Sequence, residues 1–284
     1  MAKRKARKQT KGKPPKRGLP WFGWLGIALG IVGILLFVRI FPTNQTASPA
    51  DSGELKAAII DQLYAFDFPN QEFIEQVTDT LESYGFKVDL YQGDEVTVDF
   101  CRNLPRHGHK LIIFRAHSGL IKVHGEAVVK TSLFTAEGYS RTRYVREQLN
   151  EELLKASVDE GYPFYFAIDS KFITGRMKGH FDDTVIIVTG CSCLALEDLA
   201  QAFIDKGASA YLAWDHTVGL DYVDDATIAL IRNLSSERLT VEEAVVKTME
   251  EKGPDPKWGA VLKYYPAQSA NKTIAELIGK SEIQ

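Results

Sequence analysis

The sequence is short of several things, and each shortage excludes a class of explanation. It has three cysteines in 284 residues, Cys101, Cys191 and Cys193, too few for a disulfide framework. Cys191 and Cys193 are too close for an ordinary bridge, and an odd count leaves at least one free thiol. Zinc-type spacing is missing as well: there is no C-x2-C and no H-x3-H beside the C-x-C pair, and His107, His109 and His117 do not supply one, so no metal is expected. No GxGxxG or Walker-type loop follows an early strand, which removes the common nucleotide sites, and no cofactor is expected. Acids are absent before Phe41.

That last absence makes the formal charge of −3 misleading. Residues 1–20 carry nine bases, and Arg39 is a tenth, leaving 24 bases against all 37 acids after Phe41. The remainder is therefore near −13. A basic arm often marks nucleic acid, but this one abuts "WFGWLGIALGIVGILLFV", eighteen uncharged and mostly apolar residues at 21–38. At about 1.5 Å per residue, residues 21–41 span roughly 30 Å, one hydrocarbon core. The tryptophans suit the interface and Arg39 the far end. A cleaved signal peptide is the competing reading, but its apolar core would be shorter, and "FPTNQTASPA" offers only a weak cleavage site. The expectation is a single-pass membrane protein anchored through residues 21–41. Its arm, residues 1–20, would be cytoplasmic and near anionic lipid headgroups, with no nucleic-acid partner. By the positive-inside rule the C-terminal region is extracytoplasmic.

Residues 42–55 read as a polar tether, and 56–284 as one domain. There the pattern alternates strand and helix. "KAAIID" (56–61) and "FKVDLYQ" are strands flanking a helix with Asn70 as N-cap and Gly85 as its stop. "GDEVTVDFCRNL" is a turn and short helix capped by Asp94. "KLIIFRA" (110–116) is a strong third strand ending in the turn His117-Ser118-Gly119. "LIKVHGEAVVKTSLFTAEGY" reads as a hairpin, "RTRYVREQLNEELLKASV" as a helix and "FYFAID" as a strand. "TVIIVTG" (strand), "LALEDLAQAFIDKG" (helix, 194–207) and "SAYLAWD" (strand) follow. Helices near 221–234 and 240–252, strand "AVLKYY" and a helix within 272–279 close the chain. The fold class is α/β, a mostly parallel sheet with helices on both faces. In such sheets chemistry gathers at the carboxyl ends of strands.

Two reactive residues stand at such ends: His117 after "LIIFRA" and Cys191 after "VIIVTG". Of the six histidines, only His117 combines a strong strand before it with a glycine-containing turn after it. His107 precedes its strand and belongs at the opposite edge, His124 is in the hairpin, and His180 and His216 sit in connections. A thiolate attacks a carbonyl, an imidazole manages the protons, and backbone N–H groups stabilise the oxyanion. The N-terminal end of the helix at 194–207 would lower the Cys191 thiol pKa, whereas Cys193 would be packed and its thiol pKa raised. Asp61, ending the first strand, and Asp215, after "LAW", are candidates to line a pocket for a basic substrate side chain.

These features carry a resemblance. "GFKVDLYQGDEVTVDFCRNLPRHGHKLIIFRAHSG", "VTGCSCL" and the stretch "LAQAFIDKGASAYLAWDHTV" to "LTVEEAV" resemble the caspase-like cysteine peptidase superfamily, with its caspases, separases and CHAT domains, over roughly residues 56–265. The resemblance implies a His/Cys dyad, with His117 as base and Cys191 as nucleophile, acting on a peptide or protein substrate. The family places glycine directly after the histidine. Here Ser118 intervenes, so the backbone oxyanion donor would be Ser118 or Gly119. The rival expectation is a catalytically inactive, membrane-tethered binding or scaffold domain with the same fold.

Overall fold

The computed structural model describes residues 54–122 and 129–280. The basic arm, the expected anchor at 21–41, nearly all of the tether and His124 lie outside the described residues. Among those described, no helix is long and apolar enough to cross a membrane. Residues from Glu54 onward form one compact unit.

A six-stranded sheet is the frame. Its strands are β1 (Lys56–Asp61), β2 (Lys87–Gln92), β3 (Leu111–Arg115), β8 (Thr184–Val188), β9 (Ala208–Trp214) and β10 (Leu262–Tyr265). They lie in the order β10-β9-β8-β3-β1-β2, with every pair parallel except β10 on β9. Successive side chains of a strand point to opposite faces, and the core divides accordingly. Ala57, Ile59, Ile113 and Ile187 meet α1 (Gln71–Tyr84), α6 (Leu220–Ser235), α7 (Val241–Lys252) and α8 (Ile274–Leu277). Ala58, Ile60, Phe114 and Val188 meet α2 (Val98–Asn103), α4 (Ser170–Arg176) and α5 (Asp198–Asp205).

That second face also carries a four-stranded antiparallel sheet, which the sequence reading did not anticipate. Its strands are β4 (Ser118–Lys122), β5 (Val129–Gly138), β7 (Tyr165–Ile168) and β6 (Leu153–Ala156), in the order β4-β5-β7-β6. The helix expected over 141–158 is therefore corrected. Only α3 (Val145–Leu149) is helical, Glu151 takes a positive φ of 56°, and "LLKA" becomes a strand paired with β7. Cross-strand pairing and burial of Leu153 and Leu154 override the helix-favouring composition. The helix α4 was not anticipated either; Asp169 caps it by accepting from the Phe172 N–H at 3.0 Å. The cap of α2 is Thr97, not Asp94, which sits in a 3-10 turn.

Local signals succeed where the cap is explicit. The Asn70 side chain accepts from the Phe73 N–H at 3.0 Å, and Gly85 ends α1 in the left-handed region. Thr240 and Glu243 form a capping box on α7, satisfying N–H groups that a helix start leaves free.

Candidate active site

The chain leaves β3 after Arg115 and enters β4 at Ser118, so Ala116 and His117 alone carry it from one sheet to the other. The expected glycine turn is absent: Ser118 and Gly119 begin a strand and pair with Leu133 and Ser132. His117 is held at both ends of its peptide. Its N–H donates to Gln62 Oε1 at 2.9 Å, and its carbonyl accepts from the Phe134 N–H at 2.9 Å. Gln62 is itself fully buried and donates to the Thr135 carbonyl at 3.2 Å. The imidazole sits among Phe66, Phe68 and Phe134, with ring centroids 4.8, 6.2 and 6.1 Å away. Its Nε2 is buried and has no hydrogen-bond partner. Burial, with the Arg115 guanidinium adding to it, holds the imidazole down at about 4, so it is neutral across the physiological range.

Cys191 approaches from β8, the parallel neighbour of β3. The approach is close. A Cβ on Gly190 would lie 2.1 Å from Ser118 Oγ and 2.6 Å from the Ala116 carbonyl, so only glycine fits there. The Ser118 hydroxyl then donates to the Cys191 carbonyl at 2.9 Å. The Cys191 thiol donates to the Val218 carbonyl at 3.8 Å. His117 and Cys191 line one cavity of about 180 Å³, together with Leu63, Phe68, Val218 and Val223.

The electrostatics of the thiol differ from the sequence expectation. Burial pushes the Cys191 thiol up, and the Asp255 carboxylate adds in the same sense. The helix that was to lower it begins at Asp198, after a stretch of turns, rather than at residue 194. A macrodipole acts only within the first turn, and a neutral His117 offers no cation. Cys193 is fully buried and its thiol is pushed up to about 12; its carbonyl accepts from the Tyr211 hydroxyl at 3.3 Å.

The other named residues fall elsewhere. Neither Ser118 nor Gly119 lines the cavity, and the Gly119 carbonyl accepts from the Ser132 hydroxyl at 3.2 Å. Gly190 does line it, and among the described residues the Gly190 and Cys191 N–H groups donate to no acceptor. Asp61 is fully buried against Arg115 Nη1 at 2.8 Å. Asp215 is occupied by the Val261 N–H at 2.8 Å and by Lys263 Nζ at 2.9 Å. Neither acid lines the cavity.

The chain's own arginine occupies the place imagined for a substrate's. Arg115, only 1% exposed, donates from Nε and Nη2 to Asp224 at 2.8–3.1 Å, and from Nη1 to Asp61 and the Phe68 carbonyl, each at 2.8 Å. One guanidinium serves two buried carboxylates, and burial keeps the Asp61 carboxyl above its ordinary range. A lone arginine ending the apolar run "LIIFR" was the available signal for this cluster. Beyond it lies a second cavity of about 360 Å³, lined by Asp67, Asp221, Asn70 and Arg115 and sharing Phe68 and Leu220 with the first. On the far side, Asp255 accepts from the N–H groups of Gly219, Lys257 and Trp258 at 2.7–2.8 Å. These bonds keep its carboxyl below the usual range despite its burial, and they pin the loop that carries Val218.

Among the described residues, no group of three or more His, Cys, Asp or Glu side chains is placed to hold a metal ion. No family model matches the chain, and no curated protein matches it.

Proposed function

We propose that this domain is a caspase-like cysteine endopeptidase, anchored to a membrane through residues 21–41 with its C-terminal domain extracytoplasmic. The observation that carries the reading is that His117 and Cys191, each following one of two adjacent parallel strands, line the same cavity. Cys191 is the nucleophile and His117 the base. Both start neutral, because burial disfavours thiolate and imidazolium alike. Proton transfer to the imidazole therefore accompanies attack. The Cys191 Sγ–carbon bond forms, the carbonyl electrons move to oxygen, and the N–H groups of Gly190 and Cys191, which have no acceptor among the described residues, meet that oxyanion. The scissile C–N bond then breaks as the imidazolium returns the proton to the leaving amine, and water hydrolyses the thioester.

Asp67 and Asp221 line the adjoining second cavity, both exposed and without a cationic partner among the described residues. A substrate with arginine or lysine at the cut suits them. One observation favours the rival inactive binding domain: the thiol is raised and turned to the Val218 carbonyl. Treating the full chain with a library of peptidyl electrophiles separates the two. The peptidase forms an adduct at Cys191 that is abolished in Cys191→Ala and slowed in His117→Ala. It prefers basic side chains, and Asp221→Asn lowers that preference alone. No adduct at Cys191 with any member of the library leaves the binding domain. For the topology, protease added to intact cells digests the region beyond residue 54 and spares the arm; the reverse pattern overturns the orientation.

A further inference from the structure

The four-stranded sheet bears a feature that the dyad does not use. A groove of about 390 Å³ is lined from both of its edge strands, by Ile121 and Lys122 of β4 and by Leu153, Leu154 and Lys155 of β6. The helix α3 forms one wall with Val145 and Leu149, which are 47% and 80% exposed. Apolar side chains this open, one turn apart on one helix face, are a local excess rather than the usual scatter.

The groove also reverses the charge of its surroundings. Everything after Phe41 carries a net charge near −13, yet Lys122, Arg141 and Lys155 line the groove against a single acid, Glu151. Lys122 and Arg141 have no acidic partner among the described residues. Lys155 lies over the Phe164 ring at 3.6 Å. Glu151 bonds Lys171 at 3.1 Å and lies 3.7 Å from Lys130. Along β6 the edge away from β7 pairs with no strand among the described residues, and an unpaired edge is a template for a further strand.

We infer that this groove binds an extended acidic segment of a partner protein, added as a strand along β6. Its alternate aliphatic side chains pack on Val145, Leu149 and Leu154, and its carboxylates face Lys122 and Arg141. An acidic partner is selected because Lys122 and Arg141 have no acidic partner among the described residues, and an extended one because the groove runs beside an edge that pairs with no described strand. The inference does not depend on whether the dyad turns over.

The probe is a fluorescein-labelled ten-residue peptide alternating glutamate with leucine or valine, added to the full chain in neutral-lipid nanodiscs and read by anisotropy. Saturable binding is expected, weakened roughly tenfold by Leu149→Glu and by Arg141→Glu, as for loss of a central anchor. Methylating alternate backbone amides of the peptide removes the binding, because strand addition needs those N–H groups. Circular dichroism of each variant confirms that the fold is retained. No saturable binding overturns the inference, as does binding indifferent to both substitutions or to amide methylation. Phosphatidylserine vesicles that outcompete the peptide, with the same variants losing them, would assign the groove to a lipid surface instead and also overturn it.

Discussion

Replacing Arg115 by methionine tests the centre of the site more directly than any change to the dyad. The side chain is 1% exposed and joins the end of β1 through Asp61, α6 through Asp224, and the segment before α1 through the Phe68 carbonyl. Methionine fills much of the volume, but it leaves two buried carboxylates without their cation, with the Asn70 amide still donating to Asp224 at 2.8 Å and the Gln92 amide to Asp61 at 3.5 Å, and it removes the Arg115 donor from the Phe68 carbonyl. Breaking a buried ion pair by removing one partner costs about 3–5 kcal/mol. At roughly 2–4 °C per kcal/mol for a domain of this size, Tm should fall by about 6–20 °C. The triple variant Arg115→Met with Asp61→Asn and Asp224→Asn removes the orphaned charges and should recover a large part of that loss. A second readout is independent of stability. The Arg115 guanidinium helps to hold the His117 imidazole down, so the His117 titration followed by NMR should move upward in the single variant. A Tm loss under about 2 °C, corresponding to less than 1 kcal/mol, together with an unmoved His117 titration, would refute the reasoning.

Three further perturbations follow from the same geometry. Gly190→Ala drives a Cβ into Ser118 Oγ and the Ala116 carbonyl. A loss of about 1–3 kcal/mol by chemical denaturation is expected, only partly relieved by adding Ser118→Gly because the carbonyl contact remains; a neutral substitution would mean the strands separate easily. His117 is depressed to about 4 in the folded state against about 6.5 unfolded. Between those values the unfolded chain binds the extra proton, so stability is full above pH 6.5 and falls as pH drops toward 4. The loss is about 3 kcal/mol at 1.36 kcal/mol per unit, and His117→Gln should flatten that part of the denaturation profile. Gln62→Leu leaves the His117 N–H and the Thr135 carbonyl unpaired. Orphaning two buried groups should cost about 2–4 kcal/mol, whereas Gln62→Glu, which keeps the acceptor, should lose less of any electrophile reactivity at Cys191.

The inner strands of the main sheet, β1, β3, β8 and β9, were legible because they are short apolar runs, and burial on both faces leaves them little else to be. "KLIIFRA" and "TVIIVTG" therefore located both His117 and Cys191 at strand ends. The antiparallel sheet was not legible, since "EELLKA" has the composition of a helix and becomes β6 only because β7 offers it a partner. A distant partner decides the role of Asp61 as well. A strand-ending acid looks available until the arginine that neutralises it, 54 positions along, is seen beside it. Thiol acidity is hidden for a more local reason: helix-like letters begin at Leu194, but the helix itself begins at Asp198.

The two-residue crossing at Ala116–His117 sets how this chain can vary in length. A strand presents alternate residues to alternate faces, so one residue added or removed between Arg115 and Ser118 would turn β4 over or swing the imidazole out of its aromatic surround. The stretch between β6 and β7, residues 157–164, carries no such constraint, because its exposed positions answer to no register beyond its ends. Insertions, affinity tags and domain grafts belong there. The junction of the two sheets admits substitution but not a change of count, and its length is a stricter signature of this architecture than the identity of most residues around it.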